Sequence, residues 1–311
     1  MAIVIGHRGA RALAPENTLR AIRVAKKCGA DFVEVDVRLS LDGYLVIIHD
    51  ESVDRTTDGS GEVGKLSFSE LRELDAGLGE KIPTLEEVML LAKKLDLGII
   101  VEMKEEGIEE QVALGVEGNK AIISSFYHTS LKEIKELGAV RTGIIISSLP
   151  VKPVELALWA DADAIFPKRS NPNLFKKAHR HGIEVYPWTI DRDDEARWLI
   201  GIGADGIVTD NPSIMRKVAD LPIKRTGREN CEYYPCHFEG QDCTHCFCPL
   251  YPCKDPTLGK FIRSSRKKRV WSCVECKLVH KPDVARYLSE HPDATTDELK
   301  SIDCGGTYAS G

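Results

Sequence analysis

The sequence predicts an α/β chain: a (β/α)8 TIM barrel over residues 1–222 with a small insertion after its second strand, then a small metal-stabilised cysteine-rich domain over 223–311. Three observations carry this. Short apolar runs alternate with amphipathic helical patterns through the first 222 positions, which argues for parallel strands joined by helical crossovers. That stretch also meets the roughly 200 residues or more that a barrel of this kind needs. Beyond Pro222 the composition changes abruptly, because nine of the ten cysteines lie between Cys231 and Cys304.

Strands are read near residues 2–6, 32–39, 98–103, 120–124, 141–146, 164–167, 184–189 and 206–209, with Tyr44 to Ile48 as an extra run beside the second. Helical spacing of apolar residues predicts segments at Thr18 to Cys28, Leu85 to Leu95, Leu131 to Leu137, Pro153 to Ala160, Leu174 to Arg180 and Asp194 to Ile202. Residues 50–83 break the alternation with a polar, Gly-rich stretch, Arg55 to Lys65, and a short helix, Phe68 to Leu74; this is the insertion. Glu105 to Asn119 reads as a short connection.

Chemistry-bearing side chains gather at the ends of the early strands, where such barrels keep their sites. Glu34 and Asp36 are one residue apart within Phe32 to Leu39, so strand alternation points both carboxylates to one side while residues 33, 35 and 37 fill the other. Two acids forced together favour either protonation or a bound cation, and oxygen ligands suit Mg2+, Ca2+ or Mn2+. Glu102 and Lys104 repeat the arrangement after Gly98 to Val101, offering a third oxygen ligand and an ammonium to neutralise phosphate; a strand-end Glu is also commonly just solvated. His7 and His49 each close an apolar run. Two such imidazoles could serve as general acid and general base, each typically worth 10²–10⁴ in rate, although an isolated His more often satisfies a local hydrogen bond. Arg8 offers a rigid fork for two phosphate oxygens. Glu16 and Asn17 follow Pro15 at the opening of a helix and are candidate substrate-binding residues, although capping alone would account for both.

Taken as an ordered set, these residues resemble the glycerophosphodiester phosphodiesterase family. The resemblance rests on His7-Arg8-Gly9 with Pro15-Glu16-Asn17-Thr18, on Glu34-Val35-Asp36, on His49-Asp50-Glu51 followed by Arg55-Thr56-Thr57, and on Ile82-Pro83-Thr84-Leu85. Ser124-Ser125-Phe126, Trp188-Thr189 and the run from Gly203 to Pro212 extend it over residues 1 to about 222. It implies hydrolysis of a glycerophosphodiester to glycerol phosphate and an alcohol, with Glu34, Asp36 and Glu102 holding one divalent metal and His7 and His49 as the acid-base pair. Arg8 and Lys104 would neutralise the phosphate, and Trp188 would form an apolar wall beside the substrate. Either a substrate hydroxyl attacks phosphorus to give a cyclic phosphate that water opens, or water attacks directly. The alternatives in other classes are a lyase of the phospholipase D type making a cyclic phosphate from lysophospholipid, and a cysteine-rich binding module on a degenerate barrel scaffold. The complete catalytic set speaks against the second.

In the tail, Cys231, Cys236, Cys243, Cys246, Cys248, Cys253, Cys273 and Cys276 include two CxxC pairs, a zinc-type pattern in which each pair places two thiolates on one ion. Disulfides compete as staples for so small a core, but the odd count of nine cysteines and the absence of a signal peptide favour structural Zn2+ in a cytoplasmic protein. His237, His245 and His280 could replace some thiolates. The stretch is similar to a small cysteine-rich domain of archaeal and bacterial proteins. Arg263, Arg266, Lys267, Lys268 and Arg269 form a basic stretch, yet residues 224–311 hold 14 Lys and Arg against 12 Asp and Glu, which argues against a dedicated nucleic-acid binder. Val279 to Leu288 and Asp297 to Ile302 read as short helices. The expected partner is a small glycerophosphodiester; no run reaches transmembrane length, and a homo-oligomer is compatible with the sequence.

Overall fold

The computed structural model describes residues 2–138, 140–148, 150, 152–220, 248, 250, 253–263, 269–273 and 275–303. The chain divides into two compact units, Met1–Leu221 and Pro222–Gly311.

In the first unit, strands and helices alternate in the order β1 Ile3–Gly6, α1 Leu19–Lys27, β2 Phe32–Leu39, β3 Leu45–Ile47, α2 Phe68–Glu73, α3 Leu85–Leu95, β4 Gly98–Met103, α4 Glu109–Val116, β5 Ala121–Ser125, α5 His128–Leu137, β6 Arg141–Ile146, α6 Pro153–Trp159, β7 Ala164–Pro167, α7 Pro172–His179, β8 Glu184–Val185, α8 Asp193–Gly201, β9 Gly206–Thr209 and α9 Pro212–Asp220. The sheet runs β8-β7-β6-β5-β4-β2-β1-β9, parallel throughout, with β3 alone antiparallel and paired off the path to β2. Backbone bonds close the ring between β8 and β9: Asp205 N donates to Val185 O (3.1 Å), Val208 N to Pro187 O (3.0 Å) and Ile190 N to Val208 O (2.9 Å). The seam between β8 and β9 is thus irregular where 184–189 was expected to run as one strand. Pro187 has no N–H to give to a ladder, so regular pairing stops at Val185.

Strand alternation sorts the core into two layers. Val33, Val35, Val37, Ile99 and Val101 pack outward under the helices, while Ile5, Phe32, Ile100, Ile122, Ile145, Phe166, Tyr186 and Val208 form a separate buried cluster. His7, Glu34, Asp36 and Glu102 share the strand parity of that second cluster and stand one layer above it, at the C-terminal ends of β1, β2 and β4. Val46 of β3 joins Ile48, Val53, Val63, Leu71 and Ile82 from the following segment in a satellite core. Glu105 to Asn119, expected as a simple connection, contains the helix α4. Its signal is faint because Leu114 lies exposed beside buried Val112, Ala113 and Val116.

In the second unit, β10 Lys260–Arg263 and β11 Arg269–Ser272 form an antiparallel hairpin, and α10 Pro282–Glu290 and α11 Thr296–Asp303 bury Val284, Leu288 and Leu299. Arg263 and Arg269, read from sequence as part of a basic stretch, are ladder partners in that hairpin. Cys231, Cys236, Cys243, Cys246, His237, His245, Arg266, Lys267 and Lys268 lie outside the described residues. Among the described residues no helix is long and apolar enough to cross a membrane.

Candidate active site

The first turn of the barrel is built by close approach. Arg8 and Gly9 take positive φ (50° and 84°), and a Cβ on Gly9 would lie 2.6 Å from the Ala21 side chain, so only glycine lets α1 pack against this turn. The backbone is pinned from both neighbours: His7 N donates to Thr209 O (2.8 Å), Gly9 N to Glu34 O (3.1 Å) and Arg8 N to Glu34 Oε2 (2.8 Å). His7 is thereby held at the mouth, with its Nδ1 2.7 Å from Asp210 Oδ1 and its Nε2 4.0 Å from Glu34 Oε2.

Glu34, Asp36 and Glu102 bring carboxylate oxygens within 4.8 Å of one another, the one such set of ligand atoms among the described residues. They are 6%, 0% and 9% exposed. Glu34 Oε1 and Asp36 Oδ1 are buried without hydrogen-bond partners, although Lys104 Nζ lies 3.3 Å from the latter. Burial, then the neighbouring acids Asp36 and Glu102, pushes the Glu34 carboxyl well above its ordinary range; burial and Asp36 push Glu102 up. Asp36 is driven the other way despite its burial, because Lys104, Arg8 and His49 surround it. Three buried acids, two of them with an orphaned oxygen, have the chemistry of a donor set for a hard divalent cation.

Asn17, at φ 58°, is no mere cap. Its Nδ2 donates to Asp36 Oδ2 (2.8 Å) and its Oδ1 accepts from Asp36 N (3.2 Å), while Thr18 caps α1. Asn17 therefore orients a metal-type carboxylate. Glu16 stands between two guanidinium groups, accepting from Arg8 Nη1 (2.7 Å) and from Arg55 Nη2 (2.8 Å). Burial pushes its carboxyl up, but Arg55 and Arg8 outweigh that and bring it down to about 2.

His49 follows β3 and mirrors His7. Its Nδ1 is 2.6 Å from Asp50 Oδ1, Arg38 Nε donates to its backbone oxygen (2.9 Å), and burial lowers its pKa. Asp50 is held far below the carboxylate range by Arg55, whose guanidinium also bridges to Glu16. Asp210, Asp50 and Arg55 were not assigned roles by sequence reasoning, although each lies within a family-like segment. Each aspartate holds the Nδ1 of its imidazole, which leaves the Nε2 of each ring outside that contact.

On the far side of the mouth Trp188 packs on the inner cluster, donates Nε1–H to Phe166 O (2.8 Å), and meets Phe126 edge-on at 6.1 Å. Lys168 Nζ sits 5.6 Å from its ring centre. Trp188 is thus a half-buried apolar wall held by its own polar atom.

The barrel has known relatives. The profile of the glycerophosphoryl diester phosphodiesterase family matches residues 7–214. The chain belongs to that family. A glycerophosphodiester phosphodiesterase of Caldanaerobacter subterraneus subsp. tengcongensis is 38% identical over 232 residues, covering 68% of this chain and 96% of the relative. A crystal structure of an Oleispira antarctica phosphodiesterase in complex with the product sn-glycerol-3-phosphate superposes with a TM-score of 0.67 at 31% identity, covering 71% of this chain and 98% of that one. The Thermotoga maritima glycerophosphodiester phosphodiesterase structure gives 0.63 at 29%, covering 70% and 98%. The family's phosphodiesterase activity toward glycerophosphodiesters is accordingly the activity of this barrel. Residues 223–303 match a second family, the cysteine-rich small domain, and an uncharacterized protein of Methanocaldococcus jannaschii is 49% identical over 75 residues, covering 24% of this chain and 61% of that protein.

Proposed function

We propose that this phosphodiesterase is metal-dependent and works through two histidines, splitting a glycerophosphodiester into glycerol phosphate and an alcohol. One observation carries the reading: two imidazoles, each with Nδ1 held by an aspartate, flank a buried triad of carboxylates with unsatisfied oxygens. Glu34, Asp36 and Glu102 would hold one divalent cation, with Mg2+, Ca2+ and Mn2+ all suited to an oxygen donor set. Such an ion supplies charge neutralisation at the phosphoryl oxygens and an acidified oxygen ligand.

The chain's own residues do the rest. The nucleophilic hydroxyl loses its proton to one Nε2, and the departing alkoxide takes a proton from the other. Burial of His49 favours its neutral form and thus suits it to the role of base. Arg8 and Lys104 keep their protons, because the surrounding carboxylates outweigh burial for both, and remain available to phosphate oxygens. Glu16 and Arg55 fix the Arg8 fork, and Trp188 offers an apolar face to the substrate carbons. In the tail, free thiols suit Zn2+ in a reducing compartment, with a structural role.

Phosphorus NMR of the full chain with glycerophosphocholine, glycerophosphoethanolamine and glycerophosphoinositol, with each metal and with a chelator, tests this. Metal-dependent appearance of glycerol phosphate is the expected result. Chelator-insensitive turnover, or full turnover by H7A and H49A proteins, would overturn the mechanism; accumulation of a cyclic phosphate would identify the lyase.

A further inference from the structure

Within the second unit, the β10–β11 hairpin separates two pairs of cysteines. Cys248 and Cys253 precede it and Cys273 and Cys276 follow it. Lys260 pairs with Ser272 at its open end, which places the chain entering the hairpin beside the chain leaving it. Cys276 N donates to Cys273 O (2.9 Å), a tight turn that holds the second pair together. On the entry side, Leu258 N and Gly259 N both donate to Asp255 O (2.9 and 3.1 Å), folding the segment after Cys253 back on itself. Cys248 and Cys276 then pack with Leu250 and Leu258 on one core, that of Leu278, Val279, Val284 and Leu288.

The backbone N–H of Leu250 is directed at the Cys248 sulfur, and those of Leu278 and Val279 at the Cys276 sulfur, donors that a neutral thiol hardly uses. Burial nevertheless pushes the Cys248 thiol up to about 11, and Cys276, Cys273 and Cys253 each add to the rise. All four are free thiols. Cys248 and Cys276 thus share one small core, and the turn at Cys273 carries a third thiol to it. No three of these sulfurs lie within 4.8 Å of one another, so the ion itself would have to draw them together.

We propose that Cys248, Cys253, Cys273 and Cys276 together bind one zinc-class ion as a four-thiolate site that is complete without Cys231, Cys236, Cys243 and Cys246. The assignment rests on reading the tail as a metal domain and adds which residues form a unit. On binding, each thiol gives up its proton to solvent and its sulfur takes a place on the ion. The N–H groups at Cys248 and Cys276 hold the thiolates in place, as outer partners do in other metal sites.

The test uses the full chain, loaded with zinc for metal analysis and with cobalt(II) for spectroscopy, whose thiolate charge-transfer band ignores ions on the barrel carboxylates. In C253S/C276S one equivalent of zinc and that site's share of the charge-transfer band should vanish, while C231S/C236S should retain both. C276H should keep the metal with the visible bands shifted toward a three-sulfur, one-nitrogen pattern, a readout that misfolding cannot mimic. Full zinc in C253S/C276S, or loss of this ion in C231S/C236S, would overturn the grouping. A wild-type chain without any tail zinc would instead overturn the metal reading beneath it.

Discussion

Replacing Asp210 by Asn isolates the part of catalysis that comes from holding an imidazole rather than from owning one. Asp210 Oδ1 lies 2.7 Å from His7 Nδ1, and the two side chains are 21% and 11% exposed, so the contact is a largely desolvated, charge-assisted hydrogen bond. Such a bond is worth about 1.5–3 kcal/mol, which at about 1.4 kcal/mol per decade corresponds to a loss of roughly 10- to 150-fold in kcat. An Asn amide can also donate to Nδ1 and move the ring proton to Nε2, which deepens the loss. The loop itself should survive, because Asp210 N is separately bonded to Asp191 Oδ1 (2.8 Å) and Ala12 N donates to Asp210 O (3.1 Å). The assay is kcat and KM for a glycerophosphodiester, with Tm as the folding control. H7A, by comparison, should lose about 10²–10⁴. Adding D210N to H7A should cost little more, since the aspartate acts through that ring. A D210N kcat within about threefold of wild type, less than about 0.7 kcal/mol, would refute the reasoning.

Glu34 supplies the opposite sign of stability effect. Its folded pKa is raised, so the metal-free chain should lose stability as pH climbs through the ordinary carboxylate range toward the raised value, and metal should restore it. E34Q should raise the metal-free Tm at neutral pH by a few degrees, about 1–3 kcal/mol at ~2–4 °C each, while abolishing the metal-induced rise; thermal melts with and without chelator check this. Glu16 behaves conversely: held at about 2, it contributes stability above its unfolded value that is lost as pH falls from about 4.5 toward 2. R55A should move the acid-unfolding midpoint upward. With the Arg55 side chain 47% exposed, the loss should be discounted to ~1 kcal/mol, read from acid titration by circular dichroism.

The barrel was legible because its strands are buried on both faces and short, and because helix caps such as Thr18, Ser67 and Thr84 mark the helix starts in plain sequence. What escaped was what depends on distant or local compensation. Helix α4 carries Gly115 and an exposed Leu114, so its periodicity is blurred, and the hairpin β10–β11 hides its strands beneath basic residues. Among candidate site residues, the convergence of Glu34, Asp36 and Glu102 is legible through strand alternation, which is a local rule. Asp210 was not, since it reaches His7 from 203 residues away, and only closure of the ring between β1 and β9 brings them together. Arg55 lay in a segment with no periodicity, and its role follows from two acids that converge on it, Glu16 and Asp50.

Charge balance explains why the site needs all of these parts at once. Three carboxylates around the metal position face two fixed cations, Arg8 and Lys104, leaving one uncompensated negative charge in a buried layer. Glu16 and Asp50 share a single guanidinium, Arg55, and so leave one further negative charge beside the triad, outside its own contacts. Counting the triad, Arg8 and Lys104 alone, a divalent cation would turn the remainder to one positive charge, which is the complement of a phosphodiester's single negative one. That innermost set would then be neutral with substrate bound, so binding would not add net charge to it. A phosphomonoester product, carrying up to two negative charges, would leave an excess that favours its departure. Exchanging Lys104 for Met would break that balance. The K104M protein should hold its metal more tightly, by roughly the loss of one cation's repulsion, while its KM for substrate rises. Unchanged metal affinity, measured by calorimetry, would show that Lys104 is not part of the same electrostatic account.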